Sequence, residues 1–153
     1  FEQSLRRVVA QFKPDLIVSQ HGCDAHILDP LSHVACSMAI FARMPRLIHA
    51  LAHEYCAGRW VAVGGGGYDW WRVVPRAWSL VWLEMTDHPI AAQIAADGNA
   101  DVAADWIEAW QDQSPVALEK TWLDDTRDWA PMPRRDEITK KNAETMQLAL
   151  LYC

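Results

Sequence analysis

Asp24 and Tyr68 occupy matching places in two segments of this chain, and both side chains can act on a carbonyl group. Tyr68 lies within the run GGGGYD, from Gly64 to Asp69, directly after the apolar stretch Trp60-Val61-Ala62-Val63. Consecutive glycines cost backbone entropy, so they are kept where backbone turns sharply or lies close to something else. A phenol held by such a rigid loop can donate a hydrogen bond to negative charge developing on a carbonyl oxygen. Beside a metal that polarises the same carbonyl, it would form half of an electrophilic clamp. A tyrosine that only packs is the plain alternative. Asp24 follows a second apolar stretch and a glycine, in PDLIVSQHGCDAHILDPL. A carboxylate there can ligate a metal, serve as a general base, or cap the next turn.

Other candidates carry less. Asp24-Ala25-His26 has the look of a D-x-H metal pair, a short match with little specificity. His49 and His53 stand four apart on a predicted helix, but Ala50 occupies the place of a zinc-protease glutamate, so they read as ordinary helix histidines. Cys23 has no evident activating partner and reads as a buried, inert thiol. The glycine run fails both phosphate fingerprints: Asp69 stands where G-x-G-x-x-G needs its last glycine, and no Gly-Lys-Ser/Thr follows.

The elements that must position these residues read as two strand–loop–helix units. FEQSLRRVVAQF forms an opening helix with Leu5, Val8, Val9 and Phe12 on one face. Leu16-Ile17-Val18 is a short buried strand, and a helix-like segment from Ser32 to about Cys56 follows, with Pro45 expected to kink or divide it. Gly58 ends that segment, Trp60 to Val63 is the second strand, and a helix from roughly Trp70 to Met85 follows the glycine loop. This order is the βαβ signature of a parallel sheet. Parallel strands normally have neighbours and are covered on both faces, yet nothing after Pro89 reads as a strand. The stretch from Ala91 to Gln113 is helical in pattern, with Trp106 and Trp110 on one face. A segment bearing Trp122, Trp129, Pro131 and Pro133 reads as an ordered wrap over the core. A last helix from about Asp136 to Leu151 presents Ile138, Met146 and Leu150.

The totals bound the function class. With 153 residues and a net charge of −6, the chain can bury a core but lacks the basic stripe that nucleic acid requires. Cys23, Cys36, Cys56 and Cys153 form no C-x-x-C pair and read as reduced thiols of a cytoplasmic protein. No apolar run approaches the ~20 residues that span a bilayer, so no membrane partner is expected. Nine tryptophans imply much buried aromatic packing.

Together, PDLIVSQHGCDAHILDPLSH and WVAVGGGGYDWWRVVPRAW resemble the C-terminal part of the zinc-dependent histone deacetylase superfamily, and within it the bacterial acetoin-utilization branch. The motifs that carry the likeness are Q-x-G-x-D-x-x-x-x-D-P-L and GGGGY. The resemblance implies an arginase/deacetylase-like α/β fold, with a central parallel sheet and flanking helices that this chain would hold only in part. Residues 1–89 would carry the site loops and 90–153 a helical C-terminal wrap of the same domain. It also implies a catalytic Zn2+ and hydrolysis of acetyl-lysine amides. Asp24 then matches a zinc ligand, Tyr68 the tyrosine that stabilises the oxyanion, Leu31 an apolar residue of the acyl-lysine channel, and Gly65 and Gly66 the glycines beside it. His26 is not a ligand in that pattern. The pattern's His-His dyad and its D-x-H pair are expected upstream of Phe1, so the chain alone is expected to be inactive. The expected partner is an acetylated protein lysine or a small acetylated amide such as an acetylpolyamine. A non-catalytic fragment acting through partner binding is the rival from another class.

Overall fold

The computed structural model describes residues 1–151; the expectation for the Cys153 thiol lies outside them. The elements run α1 (Glu2–Phe12), β1 (Ile17–His21), α2 (Met38–Cys56), β2 (Trp60–Gly64), α3 (Val74–Met85), α4 (Pro89–Asp97), α5 (Ala104–Trp110) and α6 (Arg135–Leu150). The architecture is α/β. The two strands pair in parallel, in the register Ile17↔Trp60 through His21↔Gly64, with α2 as the crossover between them.

Two apolar clusters hold the elements. The larger one joins Met38 and Ala42 of α2 to Ala77, Leu80 and Leu83 of α3, with Ala91 and Ile94 of α4 alongside and Cys23 beneath the site loops. The smaller one packs Val9 of α1 against Leu47 and Leu51 of α2, with Leu5 and Ile17 at its margin. The face expected for α1 is therefore only half used. Val9 is buried, whereas Val8 and Phe12 are exposed, although α1 lies against both α2 and α6.

Several expected boundaries and burials change. Residues 32–37 are not helical: the 19-residue α2 begins at Met38, where the Asp124 carboxylate accepts the first free N–H at 2.5 Å. Pro45 neither divides nor ends α2 and lies buried within it. The helix after the glycine loop begins at Val74, with Pro75 in its first turn, and Trp70 lies outside it. The stretch from Pro89 to Trp110 forms two helices, α4 and α5. Among the described residues no strand follows β2.

The strands are not buried as expected. Leu16, Val18, Val61 and Val63 are all exposed, Val18 to 64%. A pair of strands has two open edges, and here α2 and α3 leave part of the pleated surface without a cover. The tryptophans also stay near the surface: Trp70, Trp78, Trp82 and Trp110 are exposed. Of the segment after α5, Leu118 is buried and Trp122 and Leu123 pack against the larger cluster, whereas Pro131 and Pro133 are exposed.

Candidate functional site

Parallel pairing sets the C-terminal ends of β1 and β2 side by side, His21 against Gly64, so the two loops that follow leave from one edge. Gly66 joins them. Its carbonyl accepts the backbone N–H of Cys23 at 2.5 Å and that of Asp24 at 3.3 Å. A side chain on the glycine loop would abolish this approach. A Cβ on Gly66 would collide with the Asp24 carboxylate, and one on Gly65 would lie 2.8 Å from Gly22 Cα. Neither glycine has a positive φ, so close approach of two backbones, rather than turn geometry, is what requires glycine here.

Asp24 is thereby pinned through its backbone, half-buried, with its carboxylate against Gly66. Among the described residues no donor bonds to that carboxylate. Half-buried carboxylate oxygens without a protein donor suit a cation. Zinc in a catalytic site takes three protein ligands, and no group of three His, Cys, Asp or Glu side chains among the described residues could hold a metal. On its own, Asp24 could supply no more than one of those ligands.

Tyr68 is 47% exposed at the same rim. Its backbone N–H donates to Asp29 Oδ2 at 2.8 Å, while no described residue bonds to its hydroxyl. The residue forms one wall of a cleft of about 340 Å³, shared with Leu28, Pro30, Trp70 and Arg72. Leu31 is exposed and does not line this cleft; its N–H is held by Asp29 Oδ1 at 2.9 Å.

The next residue, Asp69, closes the loop onto α3. Its carboxylate accepts the Arg72 guanidinium at 2.8 and 2.5 Å and the backbone N–H of Arg72 at 2.8 Å. Burial opposes ionisation of Asp69, but the Arg72 contacts outweigh it and hold its carboxyl below the usual range.

Cys23 is fully buried, and its thiol is pushed up to about 11, first by burial and then by the neighbouring Asp29 and Asp24 charges. A thiol at that value is almost wholly protonated at neutral pH and is no nucleophile, in agreement with the inert reading.

His26 turns away from this chemistry. Its Nδ1 accepts the Leu28 N–H at 3.1 Å, which leaves the proton on Nε2, and Nε2 donates to Asp124 Oδ2 at 3.0 Å. With both nitrogens engaged, His26 has no lone pair for a metal, and the D-x-H pairing with Asp24 is not formed. Arg76 completes the node, its Nη2 lying 3.0 Å from Asp124 Oδ1 with both side chains nearly inaccessible. His49 and His53 face each other along α2 with Nε2 atoms 3.0 Å apart, and the His49 ring stacks on Trp60.

Two residues of this region escaped the sequence reading. Asp29 was visible inside the D-P-L motif, but its partner Tyr68 is 39 positions away. Asp124 lies 98 positions from His26, and no local pattern marks it.

A family model, the histone deacetylase domain, matches residues 1–85. The chain is 48% identical over 150 residues to the acetoin utilization protein AcuC of Bacillus subtilis (strain 168), an alignment covering 98% of this chain and 37% of the relative. It is 39% identical over 153 residues to the AcuC of Staphylococcus xylosus, covering 99% of this chain and 38% of that protein. The chain thus spans little more than a third of the length of these relatives. Because the domain match takes in both site loops and more than half of the sequence, the chain belongs to the histone deacetylase domain family.

Proposed function

We propose that this chain is part of a zinc-dependent deacetylase that hydrolyses acetyl-lysine amides. In this reading its two strands belong to the larger parallel sheet of an arginase/deacetylase-like fold. Residues 1–89 carry the site loops, and residues 90–153 form the C-terminal wrap of the same domain. One observation carries the reading: a carboxylate without a protein partner, Asp24, and a half-exposed phenol, Tyr68, sit on loops locked together through Gly66.

When bound, zinc supplies Lewis acidity toward the amide carbonyl and makes water more acidic. Asp24 contributes one carboxylate ligand to it. The Tyr68 hydroxyl donates a hydrogen bond to the substrate carbonyl oxygen and keeps it as that oxygen gains negative charge, which lowers the barrier selectively. Leu31 borders the path of the acyl-lysine chain, and Gly65 and Gly66 lie beside it. None of the described site residues is assigned as the general base. Cys23 is too weakly acidic as a thiol, and both nitrogens of His26 are committed. Proton transfer is assigned to the histidine dyad that the family pattern sets ahead of this segment.

The test is Asp24→Ala in the complete gene product, with zinc content measured after dialysis and turnover measured on an acetyl-lysine peptide. Loss of retained zinc together with loss of turnover is expected. Unchanged zinc content would remove Asp24 from the metal site, and a wild-type protein inert toward acetylated amides would overturn the function. Running acetylated putrescine in parallel separates a protein-lysine substrate from a polyamine one.

A further inference from the structure

Asp29 is a buried carboxylate, 5% exposed, that the mechanism above leaves without a role. Both of its oxygens are occupied by backbone donors. Oδ1 accepts the Leu31 N–H at 2.9 Å and Oδ2 accepts the Tyr68 N–H at 2.8 Å. Its own N–H donates to the His26 carbonyl at 3.0 Å, so the group is anchored from below as well.

The Leu31 contact alone is an ordinary aspartate turn, in which the side chain bonds the backbone two residues on. The Tyr68 contact is not local. One carboxylate spans the loop after β1 and the loop after β2, and it does so at the residue whose hydroxyl the proposed reaction needs. Tyr68 follows four glycines, which have no side chains to anchor their own backbone. Its ring is half-exposed and gains little from packing. Charge-assisted hydrogen bonds from N–H groups to a buried carboxylate are among the stronger ones available.

We infer that Asp29 is the positioning residue for Tyr68, fixing where the phenol stands at the rim and how far it lies from Leu31 across the mouth of the site. This rests on the reading in which Tyr68 meets the substrate carbonyl. Asn cannot replace Asp29 fully. An amide offers one acceptor oxygen and one N–H₂ group, so one of the two backbone donors would face another donor.

The experiment uses the complete gene product and an acetyl-lysine peptide, with Asp29→Ala, Asp29→Asn, Tyr68→Phe and the double variant Asp29→Ala/Tyr68→Phe. Hydrogen–deuterium exchange is followed over residues 64–69. Displacement of a reacting group by an ångström costs up to ~10²-fold. Asp29→Ala is therefore expected to lower kcat by roughly 10–100-fold with little change in KM, and Asp29→Asn by less. Because Asp29 acts through Tyr68, the double variant should be no slower than Tyr68→Phe alone. The Tyr68 amide should also lose protection in Asp29→Ala. If Asp29→Ala does not fold, the isosteric Asp29→Asn carries the same comparison. Multiplicative losses in the double variant, or unchanged exchange at Tyr68, would overturn the inference while leaving Tyr68 in the mechanism. A Tyr68→Phe variant with normal turnover would instead remove the role of Tyr68 itself, and the positioning role with it.

Discussion

Asp24 and Asp124 show opposite ways of using a carboxylate in one small structure. Asp124, with its side chain 5% exposed, is fully engaged: its oxygens take the His26 Nε2–H, the first free N–H of α2 at Met38, and the charge of Arg76. Asp24 has its backbone pinned by the Gly66 carbonyl and its carboxylate left without a protein donor. His26, only two residues from Asp24, serves Asp124 instead. Asp24 is only half-buried, so its open carboxylate is accessible to water or to a ligand. The Asp124 node ties the segment after Leu118 to the N-terminus of α2, to α3, and to the loop bearing Asp24. The rim above it keeps an acceptor and a phenol open to a ligand. The committed network and the open rim are thus separated by a few residues of one loop.

The largest effect expected from breaking this contrast is on the closed side. Asp124→Ala leaves the Arg76 guanidinium buried without its counter-charge and removes the acceptor for the α2 N-terminus. It should cost about 3 kcal/mol of unfolding free energy in the complete gene product. Denaturant unfolding measures this, and a loss below about 1 kcal/mol, the range of an exposed pair, would mean that the node is not a brace.

On the open side, Tyr68→Phe should do the reverse. It should lower kcat by ~10²–10³-fold, the usual loss for one oxyanion donor, and leave the unfolding midpoint unchanged because no described residue bonds to the hydroxyl. A variant that loses stability instead of turnover would turn Tyr68 into a packing residue.

A smaller effect sharpens the contrast through pH. Burial alone would make Asp124 harder to ionise, but the His26 hydrogen bond, the Met38 N–H and the Arg76 charge overcome that and hold its carboxyl below the ordinary value. The unfolded chain then takes up the proton first as pH falls. The stabilisation is complete above the unfolded aspartate pKa of about 3.9 and is lost as pH drops through the lower folded-state value. Asp124→Asn should flatten the fall of unfolding free energy below about pH 4. Equal slopes in variant and wild type would remove Asp124 from the acid response.

Much of the frame was readable in the residues. The strand–loop–helix order, the parallel pairing, and the exit of Asp24 and Tyr68 from one sheet edge followed from short apolar runs ending in glycine. Those signals are local: hydrophobic period and turn chemistry act over a few residues. Burial was read less well. Leu16-Ile17-Val18 has the composition of an interior strand, yet Val18 is 64% exposed, because burial depends on what lies across the sheet. Pro45 is similar. Its ring disfavours a helix interior, but α2 runs on through it between the two apolar clusters.

The sequence by itself determined which chemistry is on offer: a carboxylate and a phenol at the ends of two adjacent strands, and glycines where a side chain could not fit. It also carried the family, since the motifs around Asp24 and Tyr68 lie within the segment matched by the histone deacetylase domain. Only the tertiary structure decided which carboxylates are free and which are committed. Asp29 reaches Tyr68 across 39 positions, and Asp124 reaches His26 across 98. Hydrogen bonds at such separations depend on how the chain returns on itself, and no local spacing encodes that return. The same return explains why Gly66 is glycine: its missing Cβ is required by Asp24 on the neighbouring loop, a contact that exists only once both strands are paired.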